Sequence, residues 1–184
     1  MFELTGNQIS LKPTTEADIT DVMQMERASD NASFVRQWSR DQHLAVIRDD
    51  GMAHLLVWHD SENRAVGFVI LLGLLSPDRA LEFRRIVITE KARGFGRETV
   101  RLIKELAFDK LGMHRLWLDV AEYNQRAYHL YKSEGFVFEG IQRESWKQGD
   151  FYTSLRIMSI LDREYRDMRK PEMATCDNCP PETA

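Results

Sequence analysis

The chain is short of cysteine, of long apolar runs and of excess positive charge, and each shortage excludes a class of protein. Its 184 residues hold two cysteines, Cys176 and Cys179, both in the closing stretch CDNCPPETA. Two thiolates cannot complete a structural zinc site, which takes about four ligands. A redox Cys-x-x-Cys opens a helix after a strand, whereas this pair stands among prolines, so residues 170–184 read as a flexible tail. No apolar run approaches the ~20 residues of a membrane span. The opening MFELTGNQIS lacks the basic and apolar regions of a signal peptide, and the expected compartment is the cytoplasm. A net charge of −4 gives no basic field for nucleic acid. His43, His54, His59, His114 and His129 show no ligand spacing, and no metal is expected.

What is present fits a globular protein: 43% hydrophobic and 29% charged residues, in a length that suits one domain, residues 1–169. ISLKP (9–13) alternates like a strand. TTEADITDVMQMERA opens with Thr15 and Asp18 at capping-box spacing and continues at helical period. NASFVRQW and RDQHLAVIRDD read as further short helices. After Gly51 the pattern changes to AHLLVWHD, AVGFVILLGLL and LEFRRIVI, consecutive antiparallel strands split by SENR and SPDR turns. Val100, Ile103, Leu106, Ala107 and Leu111 then recur at helical spacing up to Gly112. HRLWLDVA is a strand, NQRAYHLYKSE a helix ended by Gly135, and KQGD the turn of a final hairpin. LDREYRDM closes as a short helix. The expectation is an α+β (mixed α/β) fold: N-terminal helices, an antiparallel meander, one strand-helix-strand unit and a C-terminal hairpin.

Between RRIVI and TVRLIKELAF lies ARGFGRE, two glycines and two arginines where a strand hands over to a helix. A helix N-terminus carries unpaired N–H groups and partial positive charge, so it attracts anions. Gly94 and Gly96 let backbone approach a phosphate, and Arg93 and Arg97 add cations. A dinucleotide loop would need a third glycine where Thr99 stands, although Asp119 nearly meets its demand for an acidic residue ~20 positions on. That fold also begins with this unit and repeats it, whereas here several elements come first. A Walker loop is excluded because Gly-Lys-Ser/Thr does not follow.

Downstream, NQRAYHLYKSEGF reads Asn-x-x-Ala-x-x-x-Tyr-x-x-x-Gly-Phe. Joined to RGFGRE, it resembles the GCN5-related N-acetyltransferase (GNAT) family over roughly residues 8 to 165. Within the family it looks like the branch with ribosomal-protein N-terminal acetyltransferases and spermidine acetyltransferases. Glu98 departs from the general motif, at a place usually held by Gly or Ala. The resemblance implies acetyl-CoA as acetyl donor, without a metal. It places the pyrophosphate on Arg93, Gly94, Phe95, Gly96, Arg97, Glu98 and Thr99. It runs the pantetheine arm along the backbone of Ile86, Val87 and Ile88, beside Asn124, Ala127 and Tyr131. Asn124 also stands where it caps its helix.

Acetyl transfer needs a neutral amine, oriented reactants, stabilisation of the oxyanion and a proton for the leaving thiolate. Tyr131 is the expected acid, with Tyr128 as the packing rival. Glu82 is the expected base, since alternation puts it on the face of Arg84, Ile86 and Ile88. An edge carboxylate paired with Arg84 or Arg143 is the other reading, and Glu144 or water then acts instead. The expected acceptor is a protein N-terminal α-amine. The alternatives are a small amine (polyamine, aminoglycoside or amino sugar) and a non-catalytic acyl-CoA-binding module. A second copy of the chain is a candidate partner.

Overall fold

Among the described residues eight strands form one sheet: β1 (Leu4–Thr5), β2 (Ile9–Pro13), β3 (Met52–His59), β4 (Arg64–Leu72), β5 (Ala80–Ile88), β6 (Arg115–Ala121), β7 (Val137–Gln148) and β8 (Phe151–Leu161). The computed structural model describes residues 3–170, so the Cys176 and Cys179 tail lies outside the described residues. The strand order is β1-β2-β3-β4-β5-β6-β8-β7. Neighbours run antiparallel throughout except β5 and β6, the parallel pair that needs a helical crossover.

Helices cover both faces. On one lie α1 (Ile19–Arg27), α2 (Ser29–Ala32) and α3 (Arg40–Arg48), and on the other α4 (Phe95–Glu105), α5 (Gln125–Ser133) and α6 (Asp162–Arg169). Val22 and Val46 close a core with Leu56, Phe68, Ile70 and Val87. Val100, Ile103, Tyr131 and Tyr165 close a larger one with Leu55, Val69, Leu71 and Leu118 on the opposite face. The predicted capping box is present, with Asp18 Oδ2 accepting from Thr15 N at 2.7 Å. The apolar rhythm after Gly96 runs through α4 and then a π-helical turn, Leu106–Lys110, before Gly112 (φ +61°) ends it.

One helix expectation fails. Only the first two residues of NASFVRQW are helical, and the chain is irregular from Ser33 to Ser39. Tertiary partners displace the helical hydrogen bonds there. Trp38 N donates to Glu26 Oε2 at 3.1 Å and Gln37 Nε2 to Glu26 O at 3.0 Å.

Two irregularities in β5 create the site. The strand pairs with β6 only from Ala80 to Glu82, opposite Arg115 to Trp117, and then the two part. β4 holds β5 out to Ile88 while β8 holds β6 out to Ala121, so a wedge opens in the middle of the sheet. Against β4 the register passes from Phe83 to Arg85, which leaves Arg84 as a bulge. A bulge reverses the alternation beyond it.

Candidate active site

The wedge is the mouth of a cavity of about 680 Å³, a size that suits a small-molecule ligand. Beyond Glu82, the backbone groups of β5 that turn away from β4 lack a β6 partner, an open strand edge that an extended amide chain can pair with. Phe83, Ile86 and Ile88 line the cavity from this strand.

At one end Gly94, at φ +86°, is the N-cap of α4, a conformation that glycine adopts without strain. Gly94, Phe95, Gly96 and Arg97 line the wall, so the first turn of α4 faces the cavity. Two cations missed in the sequence, Lys91 and Arg126, join Arg97 there. Lys91 Nζ donates to Ile88 O and Asn31 Oδ1. Burial, and then Arg126, pulls its pKa down to about 8. This cationic end fits a diphosphate. A lysine four residues before a strand-to-helix turn was the available signal for Lys91.

Midway along, Asn124 and Ala127 line the cavity, and Asn124 Oδ1 caps α5 by accepting from Ala127 N at 3.2 Å. Tyr131, one more turn along, is 5% exposed and also lines the cavity. Its ring packs at 6.2 Å from Phe83 and 5.7 Å from Phe136. Its hydroxyl has no hydrogen-bond partner among the described residues. Burial, and then the charge of Asp119, pushes its pKa well above the ordinary tyrosine value, so it stays protonated. Tyr128 does not line the cavity and is covered by Arg156 at 4.6 Å.

The carboxylates are arranged differently from the sequence expectation. The bulge at Arg84 puts Ile86 and Ile88 in the core of Leu81 and Phe83, so Glu82 does not share their face. Glu82 Oε1 accepts from Arg84 Nη1 at 3.0 Å and does not line the cavity. Asp119 of β6 does line it, with Oδ2 at 3.8 Å from Arg84 Nη1. Burial raises the Asp119 pKa, opposed by Arg84, Arg36 and Arg85. An acidic residue inside the apolar stretch LWLDVA was its sequence signal. Glu144 is an exposed residue at φ +50° in a β7 irregularity.

Four more predicted residues stand outside the cavity wall, each for a visible reason. Val87 points into the opposite core. Arg93 is held between Glu62 at 3.2 Å and Glu90. Glu98 Oε1 accepts from the backbone N–H groups of Asn7 and Gln8, tying the β1–β2 turn to α4. Thr99 is fully buried and donates to Phe95 O at 2.8 Å.

Comparison with known proteins agrees with this geometry. Residues 19–136 match the model of the acetyltransferase (GNAT) family. A spermidine N(1)-acetyltransferase of Vibrio cholerae is 31% identical over 171 residues, covering 87% of this chain and 96% of the relative. The Escherichia coli K12 spermidine N(1)-acetyltransferase is 26% identical over 171 residues, covering 88% and 90%. The crystal structure of the Vibrio cholerae spermidine N-acetyltransferase with CoA and spermine superposes with a TM-score of 0.78. It is 25% identical and covers 88% of this chain and 99% of that one. With a strand edge open to an amide chain and a cationic helix start beside it, this chain belongs to the GNAT family and is an acetyl-CoA-dependent N-acetyltransferase.

Proposed function

We propose that this enzyme acetylates the primary amine of a small molecule, with Asp119 as base and Tyr131 as acid. The observation that carries the reading is the placing of these two groups on the walls of one wedge, on β6 and on α5. The small-amine reading is supported over a protein N-terminus by relatives named for spermidine acetylation.

The residues fit acetyl-CoA, which when bound supplies an activated acetyl thioester. The free edge of β5 and the Asn124 side hold an extended amide chain, and Lys91, Arg97 and the α4 N-terminus meet the diphosphate. Asp119 accepts a proton from the acceptor ammonium, and its raised pKa makes it a stronger base than an ordinary aspartate. The amine nitrogen bonds to the acetyl carbon as the carbon–sulfur bond breaks. Free N–H groups of β5 face the carbonyl oxygen. Tyr131 gives its proton to the departing sulfur and regains one as the acetylated nitrogen sheds its second proton, while the proton on Asp119 passes to solvent.

The test is release of free thiol from acetyl-CoA with small amines and N-terminal peptides as acceptors. Tyr131→Phe keeps the ring and its packing but removes the proton, so kcat falls about 10²-fold or more. KM for acetyl-CoA barely changes, because the lost contact acts mainly in the transition state. Normal turnover by this variant reduces Tyr131 to a packing residue.

A further inference from the structure

At the far end of the cavity from α4, the lining charge has the wrong sign for a polycation. The carboxylates on the wall are Glu90 and Asp119, and Glu90 is held by Arg64 and Arg93. Facing Asp119 are Arg36, Arg84 and Arg85. One available carboxylate can hold one ammonium. A second ammonium on the same acceptor would meet guanidinium groups.

Arg85 is the unusual member. It is 6% exposed, yet it lines the cavity. Its Nη1 donates to Glu26, which is 1% exposed, and its guanidinium stacks on Trp38 at 4.2 Å. Nε and Nη2, which share one edge of the planar fork, have no hydrogen-bond partner among the described residues. That edge is the one that grips a carboxylate with two parallel bonds. Burial pulls the Arg85 pKa down against the pull of Glu26, the mark of a guanidinium short of solvent.

A buried chain fixes this orientation. Glu26 Oε2 accepts from Trp38 N at 3.1 Å and lies 3.5 Å from His43 Nε2. Beyond it, His43 Nδ1 and His54 Nε2 share a hydrogen bond at 3.0 Å, and His54 Nδ1 and Thr14 Oγ1 share another at 2.8 Å. His54 stays neutral, since burial lowers its pKa to about 3. The hydrogen bond to Glu26 and the stack on Trp38 hold Arg85 on the cavity wall.

Resting on the reading of small-amine acetylation, we infer that the acceptor carries an anionic group beside its amine, gripped by the Nε–Nη2 edge of Arg85 and assisted by Arg36, while Asp119 takes the ammonium. The acceptor class is an amino acid or a related carboxylated or phosphorylated amine, not a polyamine.

The full chain is tested with methionine and glutamate, their α-carboxamides, O-phosphoethanolamine and spermidine. Two readouts are taken: thermal shift in the presence of CoA, and thiol release from acetyl-CoA. Either free acid, or the phosphate, raises Tm where the amides do not. It turns over with kcat/KM about ten- to a hundredfold above the matching amide, the range of a charge-assisted hydrogen bond. Preference for the phosphate over the acids identifies the anion as phosphate and sustains the inference. Arg85→Lys keeps a charge beside Glu26 but loses the fork, and abolishes the preference. If that variant does not fold, the acid-to-amide contrast in the parent protein decides alone. Amides equal to acids, or spermidine turned over best, overturns the inference and leaves small-amine acetylation standing. If nothing is acetylated although acetyl-CoA raises Tm, the small-amine reading fails. The anion inference is then judged on the thermal shift, and it falls if neither acids nor phosphate move Tm.

Discussion

The two ends of the cavity are built from different kinds of neighbour. The α4 end centres on one segment, residues 90–97, which runs through Gly94 at φ +86° into the first turn of α4, with Asn31 and Arg126 joining from elsewhere in the chain. The acceptor end is assembled over long distances. Arg85 reaches Glu26 across 59 positions, and Arg36 reaches Ser145 across 109. A local device needs particular residues at fixed spacing and therefore leaves a motif. A long-range device needs only complementary side chains that meet after folding, and it leaves none. The first end can be injured without touching the fold, whereas the second is part of what holds the fold together.

The largest effect expected from that contrast is at Glu26. Glu26→Ala strands a buried guanidinium and removes the acceptor of Trp38 N and the neighbour of His43. Loss of one partner of a buried pair costs roughly 3–5 kcal/mol, readable by denaturant unfolding. The folded fraction retains its acetyl-CoA affinity. A loss below about 1 kcal/mol, the worth of a surface pair, would show that the acceptor end is not pinned from within.

Gly96→Glu reverses the pattern. A Cβ at Gly96 meets Leu130 at 3.7 Å and Ile88 at 3.9 Å, ordinary contacts, so the free protein folds. The added carboxylate enters the cationic end. At a ligand concentration 100 times Kd, acetyl-CoA adds about 2.7 kcal/mol to the stability of the parent protein, and this gain vanishes in the variant. A variant that both folds poorly and still binds acetyl-CoA would erase the distinction between the two ends.

The same contrast explains what could be read from the sequence. β3, β4, β5, β6, α5 and the β7–β8 hairpin follow local periodicity and turn residues, and they stand where the pattern put them within a few positions. The Gly94 turn, read from its glycines and arginines, and Asn124 and Tyr131, implied by the family resemblance, meet on one cavity. The bulge at Arg84 could not be read, because it is a property of the register between β4 and β5. That one extra residue sends Glu82 off the face assigned to it and turns Arg85 toward Glu26. The stretch from Ser33 to Ser39 misled for the same reason: its helix-like rhythm loses to hydrogen bonds that Trp38 N and Gln37 Nε2 donate to Glu26, twelve positions before Trp38.

The smallest effect tests a long-range pair away from the cavity, at the end where β5 and β6 are still paired. β7 is an exposed edge strand, and Glu139 stands at the irregularity between Phe138 and Gly140. From there it reaches past β8 to form a two-pronged pair with Arg115 of β6, and Ser159 Oγ donates to it at 2.8 Å. The Arg115 guanidinium, against the opposing cost of burial and with help from Ser159, lowers the Glu139 pKa to about 2, from an ordinary value of 4.5. A carboxylate depressed on folding stabilises the native state fully above its ordinary pKa, and the contribution is lost as pH falls through the folded value. The window is therefore pH 4.5 down to 2. Glu139 is 37% exposed on its side chain, so solvent screening limits the pair to about 0.2–1 kcal/mol. The unfolding free energies of the parent protein and Glu139→Gln differ by that amount near pH 6 and converge toward pH 2. Hydrogen exchange of β7 amides rises over the same window in the parent protein and is already raised in the variant. A constant gap across the window would mean that Glu139 holds the edge strand by packing rather than by its charge.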